Sequence, residues 1–380
     1  MTDSVRDLPE AQHAFETVRT RRRFLLEASL AAALAACGRP EQRGAAEHQE
    51  GAEGRRGGAP QANVHQSRTG DRNPDSQTDT TLHHAMPSSS GVDTTTTASN
   101  VQFHRYDPAL PPVSAERTTR LHFTSRDANI RVNEDTVIAA WTFEGDVPGP
   151  IVHVRQGDTV EFTLTNHGRI PHSMDFHAAQ INPKTAFRSI MPGESLTFTF
   201  SPKYAGVYLY HCGTAPVLMH LGSGMFGALV VDPPTPLRKA KEFVLVQNEY
   251  YLGGAQNGIA PLDYTKMLVT LPDLFAFNGR PGQYDAAPIH VKQGDLVRFY
   301  VANAGPTHSC AFHVVGEQFD TVYLGAPPAN AIHGVQTFDV AAGGGMIFEM
   351  QADVAGEFVF VNHSFGHGQK GAIGRLIVDG

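Results

Sequence analysis

Four blocks of this sequence occur twice, in the same order, and this repeat constrains the fold more than any other feature. Matched blocks in a fixed order indicate a duplicated domain. The chain therefore predicts two similar domains, at about residues 113–235 and 240–380. The matched blocks are Gln156–Phe162 with Gln293–Phe299, His172–His177 with His308–His313, Ala205–Cys212 with Ala355–His363, and Gly224–Asp232 with Gly371–Asp379.

Both predicted domains contain the short alternating segments of an all-β fold. Apolar and polar residues alternate in Thr159–Leu164, Ser195–Phe200 and Leu296–Val301, as they do in strands that are buried on one face. The chain has 37 glycines and 25 prolines, which favour frequent turns. We therefore expect two tandem Greek-key β-sandwiches, with one short helix between Pro261 and Leu274.

The first 36 residues are predicted to be a targeting segment. Thr20–Leu26 resembles a twin-arginine export signal, and a short apolar run follows it. Leu34–Gly38 resembles a lipobox with Cys37 as the lipidated residue, although cleavage could also leave Cys37 without a role. Residues 37–112 are predicted to form a disordered tether, because they contain few residues that could build a core. These features predict export to the periplasm or cell surface, with membrane attachment only through the lipid.

The charge and cysteine content exclude several other classes of protein. The formal net charge is −8, and no basic cluster follows the leader, which argues against binding to nucleic acid. Three cysteines do not make a disulfide framework. No Cys-x-x-Cys-His motif is present, so a c-type haem is not expected.

One stretch of the first repeat carries the ligand types of a blue-copper centre. Cys212, His220 and Met225 follow one another within a single loop, and His172 lies earlier. One thiolate, two imidazoles and a thioether are the ligands of type 1 copper. The alternative is a buried cysteine among core histidines. The second repeat has Ala372 in place of Met225, and Asn362 or His363 in place of Cys212, so it cannot build such a site.

Two histidines of the first repeat remain after this assignment. His177 and His211 have no place in the type 1 set, and His211 is directly bonded to Cys212. This arrangement suggests a second metal that is covalently connected to the first. The second repeat retains the histidines His308, His313 and His363.

At this point the motifs resemble those of the copper-containing nitrite reductases, two-domain cupredoxins of the multicopper oxidase superfamily. The segments that carry the resemblance are His172–His177, Tyr210–Met225 and Val361–Ser364. The resemblance implies a homotrimer with two coppers per subunit. It also implies a type 2 copper held by His177 and His211 of one chain and His363 of the neighbouring chain.

The resemblance further implies an acid–base pair, Asp175 and His313, above the type 2 copper. It places Val315 where the family has a larger residue, which would make the substrate pocket roomier. The expected reaction is the reduction of nitrite to nitric oxide, with a cupredoxin or a cytochrome c as electron donor. An all-histidine site agrees with this role, because it leaves a coordination position open for a small anion. A carboxyl group and an imidazole beside a cation suit two proton transfers.

Two other functions remain open on the sequence alone. A small laccase-like multicopper oxidase would need His-x-His pairs, and the folded region contains none. A non-enzymatic copper electron carrier would have no use for Asp175, His313 and His363. We expect a nitrite reductase in which electrons pass from type 1 copper through Cys212 and His211 to type 2 copper.

Overall fold

A computed structural model describes residues 97–380 of the chain. The predicted leader, Cys37 and most of the predicted tether lie outside these residues. Within the described part, no helix is long and apolar enough to cross a membrane.

Domain 1 is a sandwich of two sheets. The strands are β1 (Thr118–Arg131), β2 (Val137–Phe143), β3 (Val152–Arg155), β4 (Thr159–Asn166), β5 (Asp175–Phe176), β6 (Ser195–Phe200), β7 (Gly206–His211) and β8 (Phe226–Asp232). One sheet has the order β2-β1-β4-β6, and the other has the order β3-β8-β7-β5. Strands β1 and β4 are parallel, and alternate residues of β4 are buried, as its sequence predicts. Two short helices connect the strands, α1 (Pro183–Ala186) and α2 (Val217–Gly222).

Domain 2 repeats this sandwich with more strands in each sheet. Its strands are β9 (Lys241–Tyr250), β10 (Ile259–Ala260), β11 (Leu274–Phe277), β12 (Ala287–Lys292), β13 (Leu296–Gly305), β14 (Cys310–Val314), β15 (Phe319–Tyr323), β16 (Ala331–Val335), β17 (Thr337–Val340), β18 (Gly345–Gln351), β19 (Gly356–Asn362) and β20 (Ile373–Asp379). The sheet orders are β11-β9-β13-β18-β15-β16 and β12-β20-β19-β14-β17. The helices are α3 (Tyr264–Leu268), α4 (Gln283–Ala286) and α5 (Phe365–Gln369). The prediction of two all-β sandwiches is confirmed, and α3 lies within the segment where we expected a short helix.

The two sandwiches share a strand pairing and a core. Strand β10 of domain 2 extends a sheet of domain 1, because Ile259 and Ala260 pair with β2. One buried apolar cluster draws on strands of both domains, so the two halves share part of their core. Its members include Val207, Leu209, Ala228, Val244, Val246, Tyr300 and Ala302.

The segment before β1 is ordered from residue 97, which corrects the predicted boundary of the tether. The Tyr106 hydroxyl donates a hydrogen bond to the Gly149 carbonyl at 2.8 Å, and its amide donates to the Gln283 side chain at 2.9 Å. The Leu110 amide donates to the Glu242 carbonyl. The prediction of disorder is therefore wrong for residues 97–112, because this segment packs against both domains.

Candidate metal centres

The loop between β7 and β8 folds back on itself and gathers three of the predicted type 1 ligands. Cys212 follows the end of β7, His220 lies on α2, and Met225 directly precedes β8. The Cys212 amide donates to the Met225 carbonyl at 3.0 Å, and the Met225 amide donates to the His220 carbonyl at 3.3 Å. These two backbone hydrogen bonds close the loop, so residues that are up to 13 positions apart meet at one point.

His172 completes a buried group of donor atoms. The ligand atoms of His172, Cys212 and His220 all lie within 4.8 Å of one another. The Cys212 sulfur is 4.0 Å from Nδ1 of His172. Met225 is fully buried in the same apolar cluster as Cys212. We call His172, Cys212, His220 and Met225 the thiolate cluster.

The thiolate cluster fits a soft cation such as copper. Nε2 of His172 is buried and has no hydrogen-bond partner among the described residues, while Nδ1 of the same ring faces the Cys212 sulfur. Burial, followed by the neighbouring His220, lowers the pKa of His172 to about 3, so the ring is a neutral imidazole with a free lone pair. Burial raises the pKa of the Cys212 thiol, and a bound metal would deprotonate it.

Trp141 packs directly on the thiolate cluster. Its ring centroid is 4.9 Å from that of His220 and 5.9 Å from that of His172. The side chain therefore restricts the orientation of both imidazoles.

A second group of donor atoms lies on the neighbouring strands β5 and β7. Asp175 pairs across the strands with His211, and the His177 amide donates to the Leu209 carbonyl. The ligand atoms of Asp175, His177 and His211 all lie within 4.8 Å of one another. We call these three residues the histidine cluster.

The hydrogen bonds of the histidine cluster assign the protons on its rings. Nδ1–H of His177 donates to the Gly343 carbonyl, and Nδ1–H of His211 donates to the Cys212 carbonyl, both at 2.9 Å. Each neutral ring then has its lone pair on Nε2, and the two Nε2 atoms are 3.0 Å apart. Two lone pairs at this distance repel each other unless a proton or a metal ion lies between them. The histidine cluster therefore also fits a metal cation, held through both Nε2 atoms.

The remaining two predicted site residues lie together on domain 2. The ring centroids of His313 and His363 are 5.2 Å apart. Nδ1–H of His313 donates to the Gln336 carbonyl at 2.6 Å, and Thr337 Oγ1 lies 3.3 Å from the same nitrogen. The exposed Phe365 ring packs on His363 at 4.5 Å. We call His313 and His363 the domain 2 pair.

The domain 2 pair is not part of the metal-ligand groups of its own chain. Among residues 97–380, the groups of potential ligands contain neither His313 nor His363. Both rings lie at least partly exposed, and Val315, two residues after His313, is 47% exposed. One chain therefore presents the histidine cluster and the domain 2 pair as two separate, accessible groups.

Domain 2 also contains the counterpart of the thiolate cluster, without its sulfur ligands. The Asn362 amide donates to the Ala372 carbonyl at 3.0 Å, which repeats the bond between Cys212 and Met225. Asn362, and not His363, is therefore the counterpart of Cys212. The Ala372 amide donates to the His367 carbonyl, so His367 is the counterpart of His220.

The counterpart of His172, His308, is held by a carboxylate. Its Nδ1 lies 3.2 Å from the buried Glu249, which also accepts hydrogen bonds from Thr307. The sequence did not indicate Glu249 or the role of His367, because the repeat aligns neither of them.

A cavity of about 480 Å³ opens beside His313. Three carboxyl groups line it, those of Glu317, Asp320 and Asp353. Burial, followed by the charges of Asp353 and Asp320, raises the pKa of Glu317. The lining is therefore acidic, and it favours protons and cations over anions.

Comparison with known proteins identifies the class to which this fold and these clusters belong. Family models described as multicopper oxidase match residues 125–236 and 258–380. A solved multicopper oxidase has 26% identity and a TM-score of 0.62, and the match covers 69% of this chain and 89% of that one. The protein is a two-domain cupredoxin of the multicopper oxidase type.

Several relatives narrow the class further. The copper-containing nitrite reductase of Neisseria meningitidis serogroup A is 38% identical over 286 residues, which is 72% of this chain and 73% of that protein. The enzyme of Cereibacter sphaeroides is 28% identical over 67% of this chain and 74% of its own. The solved copper nitrite reductase of Nitrosomonas europaea has 35% identity and a TM-score of 0.64, and covers 69% of this chain and 94% of its own. The chain belongs to the family of copper-containing nitrite reductases, as its motifs indicate.

Proposed function

We propose that this protein reduces nitrite to nitric oxide with two coppers per subunit, one in the thiolate cluster and one in the histidine cluster. The observation that carries the proposal is the direct bond between Cys212 and His211, which places one ligand of each cluster on consecutive residues. The names of the relatives support the choice of nitrite as substrate.

The bond between Cys212 and His211 provides the electron path. Copper, when bound, supplies one-electron chemistry at the thiolate cluster and a Lewis-acidic binding position for an anion at the histidine cluster. The thiolate cluster, with its metal bound, would take one electron from a donor, a cupredoxin or a cytochrome c, and Cys212 and His211 would conduct it to the histidine cluster. The overall reaction consumes one nitrite, one electron and two protons, and it yields nitric oxide and water.

The third ligand of the second copper is proposed to come from another subunit. The histidine cluster offers two imidazoles, and His363 of the same chain is not grouped with them. A head-to-tail interface between identical chains would bring the domain 2 pair of one chain to the histidine cluster of the next, and three such interfaces close a homotrimer. The exposure of Phe365 in the single chain supports an interface at this surface.

Asp175 and His313 are proposed to supply the two protons. Asp175 belongs to the histidine cluster, and the interface would place His313 beside it. Nδ1–H of His313 is engaged by the Gln336 carbonyl, so Nε2 is the atom that exchanges protons with solvent or substrate. The acidic cavity beside His313 would deliver protons and repel nitrite, so nitrite would enter by another route.

A laccase-like activity is the second candidate, since solved multicopper oxidases are also similar to this chain. Among residues 97–380, however, only two groups have the residues and spacing of a metal site. A purified oligomer with about two coppers per chain supports nitrite reduction, whereas about four would support an oxidase.

Replacement of His363 tests the proposal. His363→Ala should leave the visible absorption of the thiolate cluster intact and lower nitrite turnover to background, because only the second copper loses a ligand. Steady-state nitric oxide production and copper content measure these effects. His290→Ala, an exposed histidine of domain 2 outside both clusters, serves as the control and should retain full turnover. Activity of the His363 variant near that of the unmodified protein would refute the ligand assignment.

We also propose that the protein acts at the cell envelope, exported by the twin-arginine route and anchored by a lipid on Cys37. The support is the sequence of the leader. Mass spectrometry of the N-terminal peptide from membranes would detect the lipid, and an unmodified Cys37 would refute the anchor.

A further inference from the structure

Asn362 is a buried residue directly beside a proposed copper ligand. Its side chain is fully buried, and it directly precedes His363. It occupies the position that Cys212 holds in domain 1, next to His211. A buried amide must satisfy its hydrogen bonds, so its partners reveal what it holds in place.

The amide oxygen of Asn362 fixes the backbone on both sides of the domain 2 pair. It accepts a hydrogen bond from the Ser364 amide at 3.0 Å, immediately after His363. It also accepts one from the Ala311 amide at 3.3 Å, two residues before His313. The His363 amide in turn donates to the Ala311 carbonyl at 2.7 Å. Together these bonds tie the strand of His363 to the strand of His313.

The amide nitrogen of Asn362 connects the pair to the interior. It donates to Oε1 of Gln247 at 2.7 Å, and Nε2 of Gln247 donates to Asn303 at 3.3 Å. All three side chains are fully buried.

Asn303 carries the connection to the histidine cluster. Its backbone carbonyl accepts a hydrogen bond from the Gly343 amide at 2.8 Å, and its backbone amide donates to the Gly344 carbonyl at 2.9 Å. These bonds hold the loop whose Gly343 carbonyl accepts the proton of His177. Hydrogen bonds on the side chain and on the backbone of Asn303 therefore link the segment of His363, which the protein would offer to its neighbour, to the loop that holds His177, which it would keep.

We infer that Asn362 is a positioning residue for the second copper, and that its hydrogen bonds replace the cross-link that a bound metal would make in domain 1. In domain 1, the thiolate cluster connects the loop of His172 to the loop of Cys212. In domain 2, where the thiol and thioether are absent, the Asn362 side chain donates to the Ser309 carbonyl at 3.2 Å, and the Asn303 side chain donates to the His308 carbonyl at 2.9 Å. These hydrogen bonds make the equivalent connection. The inference rests on the proposed function, since it assumes that His363 binds copper.

The test is copper binding by the intact oligomer. Asn362→Ala should weaken copper binding at the histidine cluster by roughly 10–100-fold, which is typical when a residue that orients a ligand is removed. Copper titration of depleted protein, followed by the electron paramagnetic resonance of type 2 copper, gives the affinity. The visible absorption of the thiolate cluster should not change. Asn362→Asp keeps both accepted backbone hydrogen bonds, so its affinity should fall between those of the alanine variant and the unmodified protein.

Asn278→Ala is the matched control. Asn278 is also a fully buried asparagine of domain 2 with three short side-chain hydrogen bonds, none of which involves Asn362, His363 or the Gln247 side chain. It should lower the melting temperature without changing the affinity for the second copper. If Asn362→Ala does not fold, Gln247→Met removes one partner of Asn362 and should weaken binding in the same direction.

The outcomes separate this inference from the proposed function. An Asn362→Ala affinity within twofold of the unmodified protein would overturn the inference alone. An equal loss of affinity in Asn278→Ala would also overturn it, since the effect would then be general destabilisation. Failure of the unmodified oligomer to take up a second copper would overturn the proposed function together with the inference.

Discussion

The proton positions of individual histidines decide what each proposed site can bind. His177, His211 and His313 all donate Nδ1–H to backbone carbonyls, which leaves Nε2 of each ring available. A carbonyl can only accept, so these hydrogen bonds fix the tautomer without any carboxylate. The sequence identified these histidines, but it could not show their tautomers. The carbonyls of Gly343 and Gln336, which fix two of them, are far from these histidines along the chain.

The buried imidazole of His172 predicts that the copper-free protein is sensitive to acid. Its pKa is lowered from an ordinary value of 6.5 to about 3 by folding, so the unfolded chain binds more protons below pH 6.5. The contribution of the neutral His172 to the free energy of unfolding is therefore fully present above pH 6.5, and it is lost as the pH falls towards 3. Between pH 6.5 and pH 5 this residue should remove about 2 kcal/mol from the free energy of unfolding.

Urea unfolding of copper-free protein at both pH values measures this loss. His172→Asn should show a smaller pH dependence, because it lacks the titrating ring, and copper loading should suppress the loss in the unmodified protein. An unchanged pH dependence in the variant would show that other groups cause the acid sensitivity.

Among the elements, the loops that follow β7 and β19 show which residues could be assigned from the sequence and which could not. Cys212, His220 and Met225 could be assigned from spacing, because all three lie in one loop. In domain 2 the corresponding spacing from Asn362 to His367 is five positions instead of eight, so the repeat did not identify His367 as the counterpart of His220. Only the backbone hydrogen bonds of Ala372 reveal the correspondence.

The turn into β8 depends on Gly224. Its φ is +112°, and a Cβ atom there would lie 2.5 Å from Cγ2 of Val147 and 3.1 Å from the Trp141 carbonyl oxygen. Gly224→Ala should therefore lower the free energy of unfolding by about 2–5 kcal/mol and shift the visible copper absorption, because Met225 is the next residue.

Gly193→Ala separates the cost of backbone strain at a positive φ from the cost of steric overlap of the new Cβ atom. Gly193 also has a positive φ, +84°, but nothing lies within 4 Å of its Cβ position. It should cost only about 1 kcal/mol, from backbone strain, and leave the absorption unchanged. Thermal unfolding and absorption spectra of both variants give the comparison, and equal losses would refute the steric explanation.

At the scale of the whole molecule, the proposed site is divided between chains, and this can be tested by mixing subunits. His211→Ala destroys the histidine cluster but keeps the domain 2 pair, and His363→Ala does the reverse. Co-expression of the two inactive variants should restore about a third of the nitrite turnover in trimers that contain both, since one of the three interfaces in each such trimer is complete.

A mixture of His177→Ala with His211→Ala is the control, because both changes damage the same cluster and no interface is restored. Turnover is measured on doubly tagged oligomers that contain both variants. If the first mixture stays as inactive as the control, the ligands do not come from two chains.

Whole-molecule organisation was also the level at which the sequence was least informative. The four repeated blocks predicted two sandwiches, yet the pairing of β10 with β2 and the shared apolar cluster involve residues that are more than 100 positions apart. Periodicity within a segment shows which face is buried, but it does not show against which other segment that face packs.

The hydrogen bond from His177 to Gly343 has a consequence for swapping domains between relatives. The carbonyl belongs to domain 2, while the imidazole belongs to domain 1. In a chimaera that joins domain 1 of this protein to the second domain of a relative, the loop between β17 and β18 would come from the relative. If this loop were one residue shorter, the His177 ring would lose the Gly343 carbonyl as its acceptor. Nothing would then fix the direction in which its Nε2 atom points. A chimaera should therefore keep the loop after β17 together with domain 1, so that the His177 ring retains its acceptor.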